Sequence, residues 1–332
     1  MTSCRPEDDT RIRFGRLYLD SFPEQNLQDR KFHNVSYEKL FTIPTTTDVF
    51  LYNPVAVFFD NKGYIYVIDD GVRKALRFSP TGEYLTTYGE DGDGKGPGEI
   101  VGIGDFGVVG DSMVYILDNV SYKVVFYSVD GILLKEEPWD VPPRRYQQTI
   151  AGRQYVNYTY GPTVLESRLD GEVNSLFSRS DLVNGENVEM GGPDGFLITS
   201  SENLLWIFNR HPLLLQYRSD GTLVYARTTV DYRDDFKEPG VEKLAMGARQ
   251  AFRPVGRLYH VRSGSIEQNE LFIQSINPSG TKLLSAIDVY DVISGDYKYS
   301  LPLPEDGPYS TTVQNGKMYL VKDSTVVVWK IN

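Results

Sequence analysis

An all-β fold is predicted by three features of the sequence. Tight-turn signals ending in glycine punctuate it at Thr81-Gly82, Asp130-Gly131, Asp170-Gly171, Asp220-Gly221 and Ser294-Gly295. Glycine and Asp tolerate the positive φ that two-residue hairpins demand, so each pair marks two antiparallel strands. Short aromatic strands lie upstream of most of them: YIYVID at 64–69, MVYILD at 113–118, LLWIFN at 204–209, LFIQSIN at 271–277 and KMYLVKD at 317–323. Helical periodicity is nearly absent. The 23 Tyr, 16 Phe, 30 Gly and 18 Pro of the chain match strands joined by many turns.

The strands group into a repeat. The first unit, Val55–Gly89, reads VAVFFD, YIYVIDD, GVRKALRFSP and TGEYLTTYG, which is four strands joined by short turns. Four-stranded units repeated around an axis make a propeller. The second unit runs from Phe106 to Pro138, a third over roughly 147–181, a fourth over 195–229 and a fifth over 257–304. The sixth, 308–332, supplies three strands before the sequence ends. The apolar segment YEKLFTIP at 37–44 is expected to supply the fourth strand and close the ring, leaving no open edge at the junction. The expected organisation is a tail or tether over 1–36 and a six-bladed β-propeller of four-stranded antiparallel blades over 37–332, acting as a monomer.

On these residues the sequence resembles the NHL-repeat six-bladed propellers and their TolB-like relatives. Residues 89–118 carry the resemblance: a glycine-rich run ending GPGE, an apolar strand, then a strand closing in Tyr-x-x-Asp as YILD, repeated in the first unit as YVID. The resemblance implies the fold; for function it leaves lactonases, lyases and protein- or RNA-binding modules open.

A net charge of −11 and a pI near 4.9 argue against a general nucleic-acid binder, which needs a basic surface to displace counterions. No run of 18 apolar residues is present to span a bilayer as a helix. The single cysteine, Cys4, excludes an internal disulfide or thiolate cluster. Met-Thr-Ser-Cys resembles the end of a bacterial lipoprotein signal, which makes Cys4 a lipidation candidate and the RPEDD that follows a tether. On that reading the protein is extracytoplasmic, in the periplasm or at the cell surface, with a lipid anchor as its only membrane contact. An ordinary free thiol in a cytoplasmic protein is the alternative.

The stretch GEDGDGKGPGEI at 89–100 admits three readings. As a phosphate loop it fails, because Gly96 stands where Ser or Thr should follow Lys95, and Pro97-Gly98 precludes the helix. As a calcium loop it has Asp91, Asp93 and Glu99 but Gly102 at the position of the bidentate Glu, so at most a weak calcium site is expected. As a connection between blades it needs no chemistry, and Glu99 is expected to tie the crossing down. The acids and amides ending successive second strands (Asp69, Asp118, Asn209, Asn277, Asp323) are expected to cap turns rather than ligate a metal.

No Gly-x-Ser-x-Gly is present, and His33, His211 and His260 are too scattered to read as a zinc set. Loop length is more informative. The connections 89–102, 138–153, 181–195 and 230–256 are long and share one end of a propeller, where binding residues gather. Residues 242–262 hold Lys243, Arg249, Arg253, Arg257, His260 and Arg262 against Glu242, and Arg73, Arg144, Arg145, Arg210 and His211 are expected on the same side. Arginines at a channel mouth suit a carboxylate or other anion. VEKLAMGARQAF, ended by Pro254, is predicted to form a short capping helix. Tyr146, Tyr155, Tyr158 and Tyr160 are candidates for stacking on a sugar or peptide. The expected function is non-enzymatic binding of a peptide, protein or anionic glycan at this mouth, through Arg73, Arg144, Arg145, Tyr146, Arg210, His211, Arg249 and Arg253, without a cofactor. A metal-dependent lactonase or lyase is the alternative.

Overall fold

The computed structural model describes residues 11–14, 17–20, 25, 27–46, 48–158, 161–178, 195–200, 203–209, 212–231, 240–246, 249–255, 261–277 and 284–332. Six four-stranded antiparallel sheets form the body. Each blade runs from an inner strand to an outer one. Blade 1 comprises β4 (Pro54–Phe59), β5 (Ile65–Asp69), β6 (Lys74–Phe78) and β7 (Tyr84–Tyr88). Blade 2 comprises β8 (Ile103–Val109), β9 (Met113–Asp118), β10 (Lys123–Ser128) and β11 (Leu133–Pro138). Blade 3 comprises β12 (Pro143–Gln148), β13 (Gln154–Tyr158), β14 (Thr163–Leu169) and β15 (Glu172–Ser178). In blade 4 the strands are β16 (Gly195–Ser200), β17 (Asn203–Phe208), β18 (Leu213–Tyr217) and β19 (Leu223–Thr228). In blade 5 they are β22 (Val261–Glu267), β23 (Glu270–Asn277), β24 (Leu284–Asp291) and β25 (Tyr297–Pro302). Blade 6 takes β26 (Ser310–Gln314), β27 (Lys317–Lys322) and β28 (Thr325–Ile331) from the end of the chain and β3 (Tyr37–Ile43) from near its start. The pairing of β28 with β3, Val327 opposite Thr42 and Val328 opposite Phe41, closes the ring as the sequence predicts. Two further hairpins, β1 (Arg11–Phe14) with β2 (Leu17–Asp20) and β20 (Gly240–Met246) with β21 (Arg249–Val255), stand outside the blades.

The predicted glycine turns all join third to fourth strands, and their glycines take positive φ: 88° at Gly82, 89° at Gly131, 83° at Gly171, 88° at Gly221 and 73° at Gly295. Apolar residues gather in six clusters, one at each junction between neighbouring blades. This explains why second strands read as continuous apolar runs: in β5, Ile65 and Val67 pack towards blade 6 while Tyr66 and Ile68 pack towards blade 2. All five residues of that strand are buried. Outer strands such as β11 are mostly exposed, so their alternation is weak.

Two expectations are corrected. The connection between blades 2 and 3 ends at Pro142, so Arg144, Arg145 and Tyr146 belong to the inner strand β12 and not to a loop. The segment VEKLAMGARQAF is a β-hairpin, Glu242 pairing with Arg253 and Leu244 with Ala251, and not a helix. Its apolar residues Val241, Leu244, Ala245, Ala251 and Phe252 fit strand alternation as poorly as helical spacing, and the pairing of β20 with β21, out to Met246 opposite Arg249, is what makes it a hairpin.

Gln25 and residues 27–34 lie along blades 4 and 5. Gln25 donates through its amide to the carbonyls of Thr228 (3.0 Å) and Gly295 (2.9 Å). The backbone amide of His33 donates to the Ser300 carbonyl and that of Ser300 to the Lys31 carbonyl, extending blade 5 by a short parallel bridge. The His33 ring stacks on Tyr299 at 4.0 Å between centroids. Between these contacts Arg30 reaches inward to Asp288 (2.6 Å) and Ser275 (3.1 Å). The Asp288 carboxylate is fully buried and also accepts from the hydroxyls of Ser275 (2.6 Å) and Ser300 (2.5 Å).

Candidate binding face at the channel mouth

Inner strands begin, and second strands end, at one end of the propeller, which collects the interblade connections and the turns between second and third strands. Among the described residues the opposite end carries tight turns alone. Two buried aspartates hold the loops of blades 1 and 2 at the first end. Asp69 accepts from the amides of Tyr52 (2.6 Å), Asn53 (2.9 Å) and Gly71 (3.0 Å). Asp118 accepts from Val101 (2.8 Å), Gly102 (3.2 Å), Val120 (3.0 Å) and Ser121 (3.0 Å). Each carboxylate thus fastens the entry of its own inner strand to the adjacent turn, the capping role expected of the repeated acid. Blade 6 departs from the pattern: Asp323 is exposed in its turn, with φ 50°. Asn209 is buried, and the Asn277 side chain lies outside the described residues.

The 89–100 connection closes on itself. One oxygen of Glu99 accepts from three successive amides, Gly94 (3.0 Å), Lys95 (3.1 Å) and Gly96 (2.9 Å). A concave run of amides of this kind suits an anion, and the chain fills it with its own carboxylate. A Cβ on Gly92 would fall 2.0 Å from the Glu99 carboxyl carbon, so this glycine is required by close approach. Asp91 pairs with Lys74 (3.1 Å) and Asp93 with Lys95 (2.6 Å), and the Lys95 hydrogen bond holds the Asp93 carboxyl below its usual range. Among the described residues no three His, Cys, Asp or Glu side chains gather as a metal site.

The predicted arginines meet different fates. Arg145 donates from Nε to the Gly195 carbonyl (3.0 Å) and from Nη1 to the Gly104 carbonyl (2.8 Å), with its guanidinium 5.4 Å from the Phe196 ring centroid. It staples blade 3 to both neighbours. Arg144 is half-buried beside it. Tyr146 is buried between blades 2 and 3, where its hydroxyl bonds Gln148 (2.6 Å) and its amide donates to Asp105 (3.1 Å). Tyr155 and Tyr158 are likewise core residues. Stacking on a ligand is corrected for all three by this burial. Arg73 is exposed on the turn between β5 and β6. Arg249 and Arg253 lie on β21, whose backbone alone is described, and Arg210, His211, His260, Tyr160 and Cys4 lie outside the described residues.

The face carries a set of exposed aromatic rings that the sequence analysis does not single out. Phe50 is 67% exposed, Tyr52 69%, Tyr122 44% and Tyr309 55%. Of the exposed aromatic rings among the described residues, only Phe32 and Tyr84 lie elsewhere: Phe32 beside the outer strand β25, and Tyr84 at the start of β7, next to the tight Gly82 turn. Val120 and Val141 add exposed apolar surface. These positions form an arc over blades 6, 1, 2 and 3. Ser310 donates to the Val55 carbonyl (2.7 Å) to join the first two, Arg145 joins the last two, and the Trp139 amide donates to the Tyr122 carbonyl (2.8 Å). Tyr122 was findable: it aligns with Arg73 in the repeat, DDGVRK against DNVSYK, and both are left-handed, with φ 56° and 55°.

These features define a six-bladed β-propeller with a loop-built, aromatic face at one end of its channel. Residues 18–187, just over half of the 332, match the DUF5128 family, described as a 6-bladed beta-propeller, and the chain belongs to that family. No curated protein matches the sequence. Among solved structures, the chain is similar to a protein of Bacteroides fragilis described as exported, with 12% identity, a TM-score of 0.62, and coverage of 93% of this chain and 99% of that one. It is similar to virginiamycin B lyase of Staphylococcus aureus, solved with quinupristin, at 12% identity and TM-score 0.52, covering 90% of this chain and 99% of that one. It is also similar to the extracellular domain of a hybrid two-component system of B. thetaiotaomicron, at 12% identity and TM-score 0.50, covering 90% of this chain and 43% of that one. At these identities the similarity is one of fold, and what it shares with the expected resemblance is the six-bladed architecture.

Proposed function

We propose that this is an extracytoplasmic, monomeric binding propeller that captures its ligand on the loop-built face. The observation that carries the reading is the concentration of exposed Phe50, Tyr52, Tyr122 and Tyr309 at that end, since aromatic rings on a rigid scaffold contribute most to recognition. Backbone strain supports it. A bulky residue in the left-handed region costs roughly 1–2 kcal/mol, yet Arg73 and Tyr122 occupy that conformation at equivalent exposed positions. Retaining these side chains where glycine would be relaxed fits use of the side chains. The exported and extracellular fold relatives support the location, and Cys4 supplies a lipid attachment point for mass spectrometry to test.

The test is binding to immobilised cationic peptide, neutral oligosaccharide and anionic oligosaccharide. Truncating Phe50, Tyr52, Tyr122 and Tyr309 together to Ala should abolish whichever binding the native protein shows, while Ile150→Ala with Ile293→Ala at the tight-turn end should not. Equal binding by the two variants would overturn the reading. A metal-assisted lyase or lactonase is the alternative, shared in fold with virginiamycin B lyase. A stoichiometric divalent ion in elemental analysis of the purified protein would establish it.

A further inference from the structure

We infer that the ligand of the loop-built face is a cationic polypeptide segment, one that presents Lys or Arg beside apolar side chains; this rests on the binding reading above. The sequence directs attention to basic residues at this mouth, yet the described arc over blades 6, 1, 2 and 3 is acidic. Asp48, Asp70, Glu90, Asp140, Asp306 and Asp323 are all exposed along its loops and turns. Against them stand two exposed bases, Arg73 and Lys95, and Lys95 is already paired with Asp93 at 2.6 Å.

The carboxylates alternate along the chain with the exposed rings. Asp48 precedes Phe50 and Tyr52, and the Tyr52-Asn53 backbone lies beside the Asp70 turn, where the Asp70 amide donates to the Asn53 carbonyl (3.0 Å). Asp306 precedes Tyr309, and the Tyr309 amide donates to the Val321 carbonyl (2.8 Å), two residues from Asp323. Asp140 stands between Trp139 and Val141.

Two forces then act together on a cation. The ring faces attract Lys and Arg head groups through their quadrupoles, and the surrounding carboxylates offer charge-assisted hydrogen bonds. The apolar ring edges, with Val120 and Val141, accept the aliphatic stems and neighbouring apolar residues. An anion meets repulsion on the same surface. A neutral glycan could stack on the rings but would gain nothing from the surplus of negative charge, and a long-range field of one sign raises the encounter rate of the opposite sign only. The anion-attracting nest at Gly94–Gly96 does not reverse this, because Glu99 fills it.

The experiment uses the full chain and a fluorescent short peptide alternating Lys or Arg with Leu or Phe. A matched peptide with every Lys and Arg replaced by Gln, and a neutral oligosaccharide, are the competitors. The cationic peptide should bind, the Gln peptide at least about tenfold more weakly. Raising the salt from about 0.05 to about 0.5 M should weaken the cationic complex severalfold by screening. Asp48→Asn, Asp70→Asn and Asp306→Asn combined should weaken it by roughly tenfold at low salt, since each exposed pair is worth up to about fivefold. An unchanged thermal melt of the triple variant shows that the loss is in recognition. Binding of the Gln peptide or the oligosaccharide as tight as that of the cationic peptide overturns the cationic ligand but leaves the aromatic face standing. Failure to bind the cationic peptide, or indifference to the triple variant, also overturns the inference. Only loss of the ring requirement overturns the face itself.

Discussion

Asp118 and Asp323 both stand where a second strand meets its turn, Asp118 as the last residue of β9 and Asp323 just past the end of β27, and they do different work. The Asp118 carboxylate is buried and takes four amide hydrogens from two loops, whereas Asp323 projects from an exposed turn. Asp118→Ala leaves those donors unmatched, and each buried unsatisfied group costs about 1–3 kcal/mol. We expect a loss of roughly 2–4 kcal/mol after partial rehydration of the loops, read as a lower urea midpoint. Asp323→Asn should change stability by less than about 0.5 kcal/mol, because Asn tolerates the left-handed conformation equally well. Tyr122 gives a test of opposite sign. Tyr122→Gly relieves the strain of φ 56° and should leave the urea midpoint unchanged or higher while weakening ligand capture. A clear drop in midpoint would remove the strain argument for this side chain.

At the scale of an element, the strap of Gln25 and residues 27–34 hangs on Arg30. Burial pushes the Asp288 carboxyl above its usual range, and the Arg30 charge and the hydroxyls of Ser275 and Ser300 oppose that push. Arg30→Met removes the main opposition and strands a buried carboxylate, a loss of about 3–5 kcal/mol at neutral pH for a broken buried pair. The sign of the pH dependence follows from the raised folded value. A carboxyl that is harder to ionise in the folded state burdens stability once the pH exceeds that value, and the burden vanishes as the carboxyl protonates below its unfolded value near 4. The deficit of Arg30→Met relative to the native protein should therefore shrink as the pH falls from 7 towards 4, as urea midpoints at several pH values would show. A constant deficit would mean that lost packing, not stranded charge, is the cause. The strap was not legible in the sequence: QNLQDRKFHN has no strand alternation, and its bonds go to residues some 200 to 270 positions away. The hairpin over 240–255 was missed for a local reason, since a mixed apolar pattern with Pro254 reads equally as a short helix and its stop.

At the scale of the whole molecule, closure by β3 makes the N-terminal region part of the last blade. Removing residues 1–36 should lower the melting temperature through loss of the strap yet leave a soluble, cooperatively melting propeller. Removing residues 1–44 deletes β3 and bares the β28 edge, and size-exclusion chromatography should then show aggregation. If both truncations stay soluble with similar melts, closure is not what holds the ring. The sequence by itself determined the blade count, the order of strands and the closing segment. These are written in short-range features: glycine and aspartate at turns that need positive φ, apolar runs where both faces of a strand are covered, and a last unit one strand short. It also determined the role of Asp69 and Asp118, because a short acid at a strand end caps the turn beside it. Only the tertiary structure decided which aromatic rings are core and which are surface. Tyr146 and Tyr52 look alike in sequence, but Tyr146 is covered by a neighbouring blade and Tyr52 is not. It likewise turned Arg145 from a candidate ligand-binder into a staple, because its two carbonyl partners belong to other blades. Burial and charge balance on a propeller face are properties of residues brought together from several blades, and no local pattern carries them.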